Sequence, residues 1–194
     1  MTPRPDTSPT FFERLYRNAE DPWNFRGSGY ERKRYAEIVA WVDDRRYQSA
    51  FEPGCAIGEL TAMLAPLCRS LKAMDFSASA VSRARSRCRN FPQVQVYQGA
   101  LPDDIPGEPC DLIVFSEIGY YFPFPELERL STRLWSTLLP GGRMVACHWL
   151  GHSGDHELHG SQVREVMLKT FGPPDRENNP ADGYTLQRWT KPAL

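Results

Sequence analysis

"FEPGCAIGEL", residues 51 to 60, is the stretch on which the reading of this chain turns. Phe51 and Glu52 close a run with the composition of a strand, Gly54 and Gly58 make a turn, and Glu59 and Leu60 open a helix. Upstream, "RYQSAFE" (46–52) supplies the body of that strand. Downstream, Leu60, Met63, Leu64 and Leu67 fall at i, i+3, i+4 and i+7 on one helical face. A strand, a glycine turn and a crossover helix are the opening unit of an α/β sheet.

The alternation continues along the chain. "LKAMD" (71–75) reads as a second strand, and Ser77 caps a helix whose Val81, Ala84 and Cys88 share a face and which Asn90 ends. "VQVYQ" (94–98) is a third strand, followed by the loop "LPDDIPGEP". "DLIVFSE" (111–117) is almost wholly apolar, as in a strand covered on both faces, and is expected at the centre of the sheet. Leu127, Leu130, Leu134 and Leu138 form another helical stripe, stopped by "PGG" (140–142) before "RMVACHW" (143–149) returns as a fifth strand. A helix at about 160–171 and a strand "YTLQRW" follow. The pattern predicts an open, mostly parallel sheet with helices on both faces and ligand at the carboxyl ends of the strands. Residues 1–45 read as a helical cap segment, with Tyr35, Ile38, Val39 and Val42 on its apolar face, and residues 46–194 as the ligand-binding domain, all within one structural domain.

Composition excludes several classes. The 23 basic and 24 acidic side chains nearly cancel, so no overall field draws the chain to nucleic acid or an anionic membrane. No apolar run nears the roughly 20 residues of a membrane span, and "MTPRPDTSPT" lacks the pattern of a signal peptide. The expectation is a cytoplasmic protein. Five cysteines, scattered and without a Cys-x-x-Cys pair, read as reduced small hydrophobes. In "SRARSRCRN" (82–90), Arg83 and Arg87 lie one helical turn apart and read as solvated. His148, His152, His156 and His159 crowd into one short stretch, but Gly151, Ser153 and Gly154 interrupt any helix that would align them for a metal. No metal is expected there; a substrate-facing loop of hydrogen-bond donors is.

Glu52, Asp75, Gln98, Glu117 and His148 each sit at the end of a predicted strand, a rim suited to a ligand rich in hydroxyl or amine donors. A dinucleotide site wants Gly-x-Gly-x-x-Gly with a helix N-terminus free for pyrophosphate. Here Glu59 stands at the third glycine position, where a carboxylate repels pyrophosphate and obstructs close packing. A nicotinamide-dependent oxidoreductase is thereby disfavoured.

The spacing Glu52-x-Gly54-x-Ala56-x-Gly58 instead resembles the first motif of class I S-adenosylmethionine-dependent methyltransferases, with alanine in place of the middle glycine. The other landmarks of that family follow in order. Asp75 matches the acid that accepts both ribose hydroxyls, Phe76 the residue against adenine, and Gly99, Ala100 and Leu101 the adenine loop, without its frequent acid. Ser116 and Glu117 match the end of the fourth strand. The resemblance implies a Rossmann-like class I methyltransferase fold with S-adenosyl-L-methionine bound by Glu52, Gly54, Ala56, Gly58, Asp75, Phe76, Ser77, Gly99, Ala100, Leu101, Ser116 and Glu117. From the N-terminal segment, Arg34 is expected to pair with the cofactor carboxylate, and Trp23 or Tyr30 to cover its methionine chain. Asp75 and Gly58 substitutions are expected to act on ligand binding and leave the fold intact.

"DPWNFRGSGYERKRY", "FEPGCAIGELT", "SEIGYYF" and "HWLGHSGDHELHG" together resemble the rhizobial nodulation N-methyltransferases, the nodulation protein S family. This implies N-methylation of the free amine of a deacetylated chitooligosaccharide or similar amino sugar. Where the family pattern has Gly-Asp-x-Val-His, this chain has "GSQVR", with Ser161 and Arg164. An ammonium must lose its proton before attack; Glu117 and His148 are the expected proton acceptors, with Tyr121 a third candidate catalytic residue. Tyr120, Tyr121, His148, Trp149 and His152 are the expected substrate contacts. "SEIGYY" stands where nucleobase amino-methyltransferases carry an Asn-Pro-Pro-Tyr-like motif, which argues against nucleic acid as substrate. The alternatives are an O- or N-methyltransferase acting on another sugar or small molecule, and a binding module without turnover.

Overall fold

The computed structural model describes residues 7–193; residues 1–6, part of the stretch read above for a signal peptide and of the predicted cap segment, lie outside the described residues. The chain forms two compact units, Ser8–Asp104 and the part from Ile105 onward.

The first unit contains α1 (Pro9–Asn18), α2 (Gly29–Ala40), β1 (Ala50–Pro53), α3 (Glu59–Leu64), β2 (Leu71–Asp75), α4 (Ala78–Arg87) and β3 (Val94–Gln98). β2 pairs in parallel with β1 on one side and β3 on the other, with Glu52 opposite Ala73 and Asp75 opposite Gln98. Serine hydroxyls start three of the helices: Ser8 accepts from Phe11 N–H, Ser28 from Glu31 N–H and Ser77 from Ala80 N–H. β1 is shorter than predicted, because Tyr47 makes only an isolated bridge to Cys68 before the chain bends at 48–49. The stripe Leu60–Leu67 is one face of two elements. Pro66 has no N–H to continue an α-helix, and the chain closes in a 3-10 turn, Ala65–Leu67. α4 stops at Arg87, with Cys88 as its C-cap, and does not reach Asn90.

Arg83 is half-buried and does more than face solvent. Its guanidinium donates to Tyr16 O at 2.6 Å and to Ala19 O and Glu20 O at 3.0 Å, so it closes the carboxyl end of α1, where orphan carbonyls and the helix dipole favour a cation. Beneath it, Tyr16, Ile57 and Ala80 form a buried cluster on which Trp23, Phe25 and Ala56 pack. Cys55, Ala73, Val81, Ala84 and Val96 form another.

The second unit contains β4 (Cys110–Ser116), α5 (Phe124–Thr137), β5 (Leu138–Trp149), α6 (Gly160–Phe171), β6 (Arg176–Glu177) and β7 (Tyr184–Thr190). β4 and β5 are parallel, whereas β7 runs antiparallel to β5 and carries the short β6 on its other edge. Leu112 to Ser116 are all buried, as the apolar run required. "PGG" does not stop a helix ahead of a separate strand. β5 already begins at Leu138, Gly141 takes the left-handed conformation at φ +72°, and Gly141 N–H and Gly142 O bond to Lys191 O and N–H at 2.8 Å. A register shift between Cys110 and Leu112 accompanies this irregular entry. All five cysteines are buried free thiols. No helix among the described residues is long and apolar enough to cross a membrane.

Candidate functional site

In the first unit, the turn after β1 has three left-handed residues in alternation: Gly54 at φ +72°, Ala56 at +48° and Gly58 at +83°. Gly54 and Cys55 both donate to Met74 O, at 2.7 and 2.9 Å. Ala56 N–H donates to Asp75 Oδ2 at 3.0 Å, and Ser77 N–H to Asp75 Oδ1 at 2.9 Å. Asp75 thus ties the turn to the start of α4, and an alanine is held where its Cβ costs about 1–2 kcal/mol. Each oxygen of a carboxylate accepts more than one hydrogen bond, so Asp75 keeps capacity for two hydroxyls.

Gly58 has a different task. A Cβ there would lie 2.9 Å from Ala84 Cα and 3.0 Å from Ala84 Cβ, so this glycine permits the close approach of α4. The expectation that substitution at Gly58 leaves the fold intact is therefore corrected. Asp75 also has a structural share, since the Ala56 and Ser77 N–H groups both donate to it.

Glu52 and Asp75 are both buried acids. Burial raises the Glu52 carboxyl to about 8; Thr61 opposes that shift and the Asp75 charge adds to it. Glu52 Oε2 is buried without a hydrogen-bond partner. Burial likewise raises Asp75 to about 6 despite its backbone donors, with Glu13 contributing. Sequence reading missed Glu13. Its carboxylate accepts from Ser77 Oγ at 2.6 Å and Ser79 Oγ at 2.7 Å, joining α1 to the amino end of α4. The Ser77 bond leads the effects that hold Glu13 down at about 2. Ser77, expected at the cofactor, is engaged in this helix start.

Glu59 is not a bare carboxylate facing a ligand. It accepts from Arg26 at 3.1 Å and Arg87 at 3.0 Å, and so links the N-terminal loop to α4. Phe12, Trp23, Phe25 and Tyr35 form a continuous chain of ring contacts, and Phe12 also meets Phe76 edge-on at 5.4 Å. Trp23 is therefore part of the packing that fixes the N-terminal segment. Arg34 is 1% exposed, ion-paired with Glu31 and placed over the Tyr30 and Tyr35 rings. The guanidinium thus has an acid on its own helix, which it meets through one terminal nitrogen. After β3, Gly99 N–H donates to Asp75 O at 3.0 Å, and Ala100 N–H donates to Asp104 Oδ2 at 2.9 Å, which closes the loop on itself. Leu101 lies half-buried in that loop.

In the second unit, Ser116 ends β4 with its hydroxyl oxygen buried and unpartnered. Glu117 follows in the left-handed region, φ +62°, a conformation that marks functional sites when a non-glycine residue holds it. Its carboxylate accepts from Trp149 N–H at 2.7 Å and Tyr120 OH at 3.0 Å. Tyr120 stacks on His156 at 3.7 Å, and Tyr121 and Trp149 meet the same imidazole edge-on at 5.3 and 6.2 Å. Burial pushes the Tyr121 hydroxyl far above its ordinary value, so it remains protonated. Burial also lowers His156, keeping that imidazole neutral, and its Nδ1 has no partner. His156 was not among the expected contacts; one histidine of four in a loop carries no sequence signal that it will stack.

His148 is 1% exposed, and its Nε2 accepts from Gly119 N–H at 3.0 Å. An imidazole that is buried with this lone pair engaged holds the turn after β4, which corrects its expected role as proton acceptor. His152 is exposed and lies against His159 at 4.8 Å. His159 caps α6 with Ser161 and Gln162, and Arg164 binds Glu177 on β6. The departure at Ser161 and Arg164 therefore serves the fold. Among the described residues, no three His, Cys, Asp or Glu side chains are grouped to hold a metal ion.

The family model for nodulation protein S matches residues 8–142. The chain belongs to the nodulation protein S family. It is 33% identical to nodulation protein S of Rhizobium tropici, over 66% of this chain and 54% of that one. The same name is carried by a Bradyrhizobium diazoefficiens protein 31% identical over 71% of this chain and 70% of that one. The matched region thus spans about half the length of the Rhizobium relative. Among solved structures, the N-methyltransferase NodS from Bradyrhizobium japonicum WM9, in complex with S-adenosyl-L-homocysteine, superposes with a TM-score of 0.82, at 22% identity, covering 96% of this chain and all of that one. That likeness shows the fold: the class I, S-adenosylmethionine-dependent methyltransferase fold, with a mixed set of seven strands and flanking helices.

Proposed function

We propose that this protein is an S-adenosylmethionine-dependent N-methyltransferase whose acceptor is the free amine of a deacetylated chitooligosaccharide or a similar amino sugar. The observation that carries the acceptor class is Glu117. It is a carboxylate in a strained backbone conformation, held by Trp149 N–H and Tyr120 OH among the rings of Tyr120, Tyr121 and Trp149. A carboxylate beside aromatic faces suits an ammonium-bearing sugar, whose apolar face stacks while its cation meets the charge.

The first unit has the features the cofactor needs. Asp75 offers acceptor capacity for two ribose hydroxyls, and the left-handed turn at Gly54 and Ala56 presents backbone where side chains would intrude. Glu52 brings an unpartnered buried oxygen. Phe76 and the loop Gly99, Ala100 and Leu101 are assigned to adenine, and the exposed Tyr30 and half-buried Trp23 to cover, within a capping segment over residues 1–45. When bound, the cofactor supplies an already activated methyl group on a sulfonium. The protein's tasks are alignment and exclusion of water.

Glu117 takes the proton that the acceptor ammonium must lose, and Tyr120 and Trp149 hold that carboxylate in place. His156, kept neutral by its surroundings, adds no positive charge to compete with the substrate. The test is methyl transfer to deacetylated and to fully acetylated chitooligosaccharides: transfer to the first alone is expected. Equal transfer to both, or to neither, would refute the acceptor.

A further inference from the structure

The buried acid of β1 is the polar group in the first unit whose chemistry the fold leaves open. Glu52 is 3% exposed, and its Oε2 has no hydrogen-bond partner. The groups that bear on it are acids or neutral. Asp75, at the end of β2, holds two backbone donors of its own and is faced from α1 by Glu13. Thr61 lies on α3, and the thiols of Cys55 in the turn and Cys88 at the end of α4 are both kept protonated by burial. Glu59, which also acts on Cys88, is paired with Arg26 and Arg87. A lone carboxylate so placed is costly, and the cheaper state is the neutral acid.

We propose that Glu52 is a protonated carboxyl in the free protein and surrenders its proton when the α-ammonium of the cofactor arrives at this turn, so that cofactor binding releases a proton. The inference rests on the cofactor assignment above. The balance is direct: Glu52–COOH becomes Glu52–COO⁻ paired with the incoming ammonium, the proton passes to buffer, and no other bond changes. Glu52 then acts as a charge-matching residue. It is neutral while the pocket lacks a cation and charged once a cation is present, so an uncharged or anionic nucleoside gains nothing from it.

Calorimetric titration with S-adenosylhomocysteine, in buffers of different ionisation enthalpy at pH 6.5, 7, 7.5 and 8, counts the protons released. Subtracting the count for Glu52→Gln cancels the titration of the ligand's own amine. With the carboxyl near 8 in the free protein, linkage predicts a difference of about 0.9 proton at pH 7 and about 0.5 at pH 8, and about fivefold weaker binding at pH 7 than at pH 8 for the wild type relative to the variant. A difference of zero with binding intact in both proteins overturns the proposal. If Glu52→Gln fails to fold, the wild-type count is followed from pH 5 to 9 and corrected for the amine of free S-adenosylhomocysteine titrated separately: release that falls to half near pH 8 supports the proposal, and release that has already fallen to half near pH 6 assigns the proton to Asp75 and overturns it. Absence of binding heat at every pH, in every buffer, instead removes the cofactor assignment itself.

Discussion

The two units treat their strand-end acids differently. In the first, Glu52 is buried with Oε2 unpartnered and pushed up to about 8, and Asp75, although each of its oxygens has a backbone donor, is raised by burial to about 6. In the second, Glu117 is given a donor for each oxygen, and the neighbouring His148 has its Nε2 committed to a backbone N–H. Glu52 keeps an open carboxylate oxygen, whereas both oxygens of Glu117 are committed, which fixes that carboxylate in one orientation. A methyl donor that brings charge and hydroxyls suits the former, and an acceptor that must be deprotonated in place suits the latter.

The sharpest way to break the contrast is Glu117→Gln. Loss of a positioned base is expected to lower kcat by about 10²–10⁴-fold, while S-adenosylhomocysteine affinity by calorimetry stays within about twofold. An equal loss of cofactor affinity would move Glu117 to the donor side. Next comes Glu52→Gln in thermal melts. The folded-state value of this acid lies above its unfolded one, so its contribution is fully present below about pH 4.5 and is lost as pH rises through 8. The substitution should therefore stabilise the protein at pH 8 by about 2–4 kcal/mol and change little at pH 4.5. A stabilisation that does not vary with pH would show that the carboxyl is not titrating there.

Asp75→Ala should weaken cofactor binding and also lower stability by about 2 kcal/mol, because the Ala56 and Ser77 N–H groups both lose their acceptor. A variant that loses affinity at unchanged Tm would limit Asp75 to ligand contact. The smallest effect is Ala56→Gly. Relief of the left-handed alanine is expected to raise stability by about 0.5–1 kcal/mol in denaturant melts. A loss of stability would mean that the methyl group contributes more by packing on the Tyr16, Ile57 and Ala80 cluster than it costs in strain.

Features carried by neighbours in sequence were legible. The apolar run at 111–116, the serine that starts α4 and the glycine turn each declare themselves within ten residues, because strand burial, capping and left-handed backbone are local requirements. What stayed hidden depends on partners far along the chain. Glu59 suggested repulsion until Arg26 and Arg87, 33 and 28 residues away, were found on its two oxygens. Glu13 reaches Ser77 across 64 residues. Arg83 and Arg87 have the spacing of a solvated face, and only the arrival of the end of α1 and of Glu59 gives them work. His148 was legible as a strand-end residue, but its burial against Gly119 N–H was not, and nothing local marks His156 for stacking on Tyr120.

The proposed reaction is tested most directly by following the methyl group. S-adenosylmethionine carrying a ¹³C methyl would be incubated with the protein and a deacetylated chitooligosaccharide, and the product carbon observed by NMR. An N-methyl resonance on the deacetylated residue, absent with Glu117→Gln, is the predicted result. An O-methyl resonance, or no transfer by a protein that binds S-adenosylhomocysteine, would contradict it.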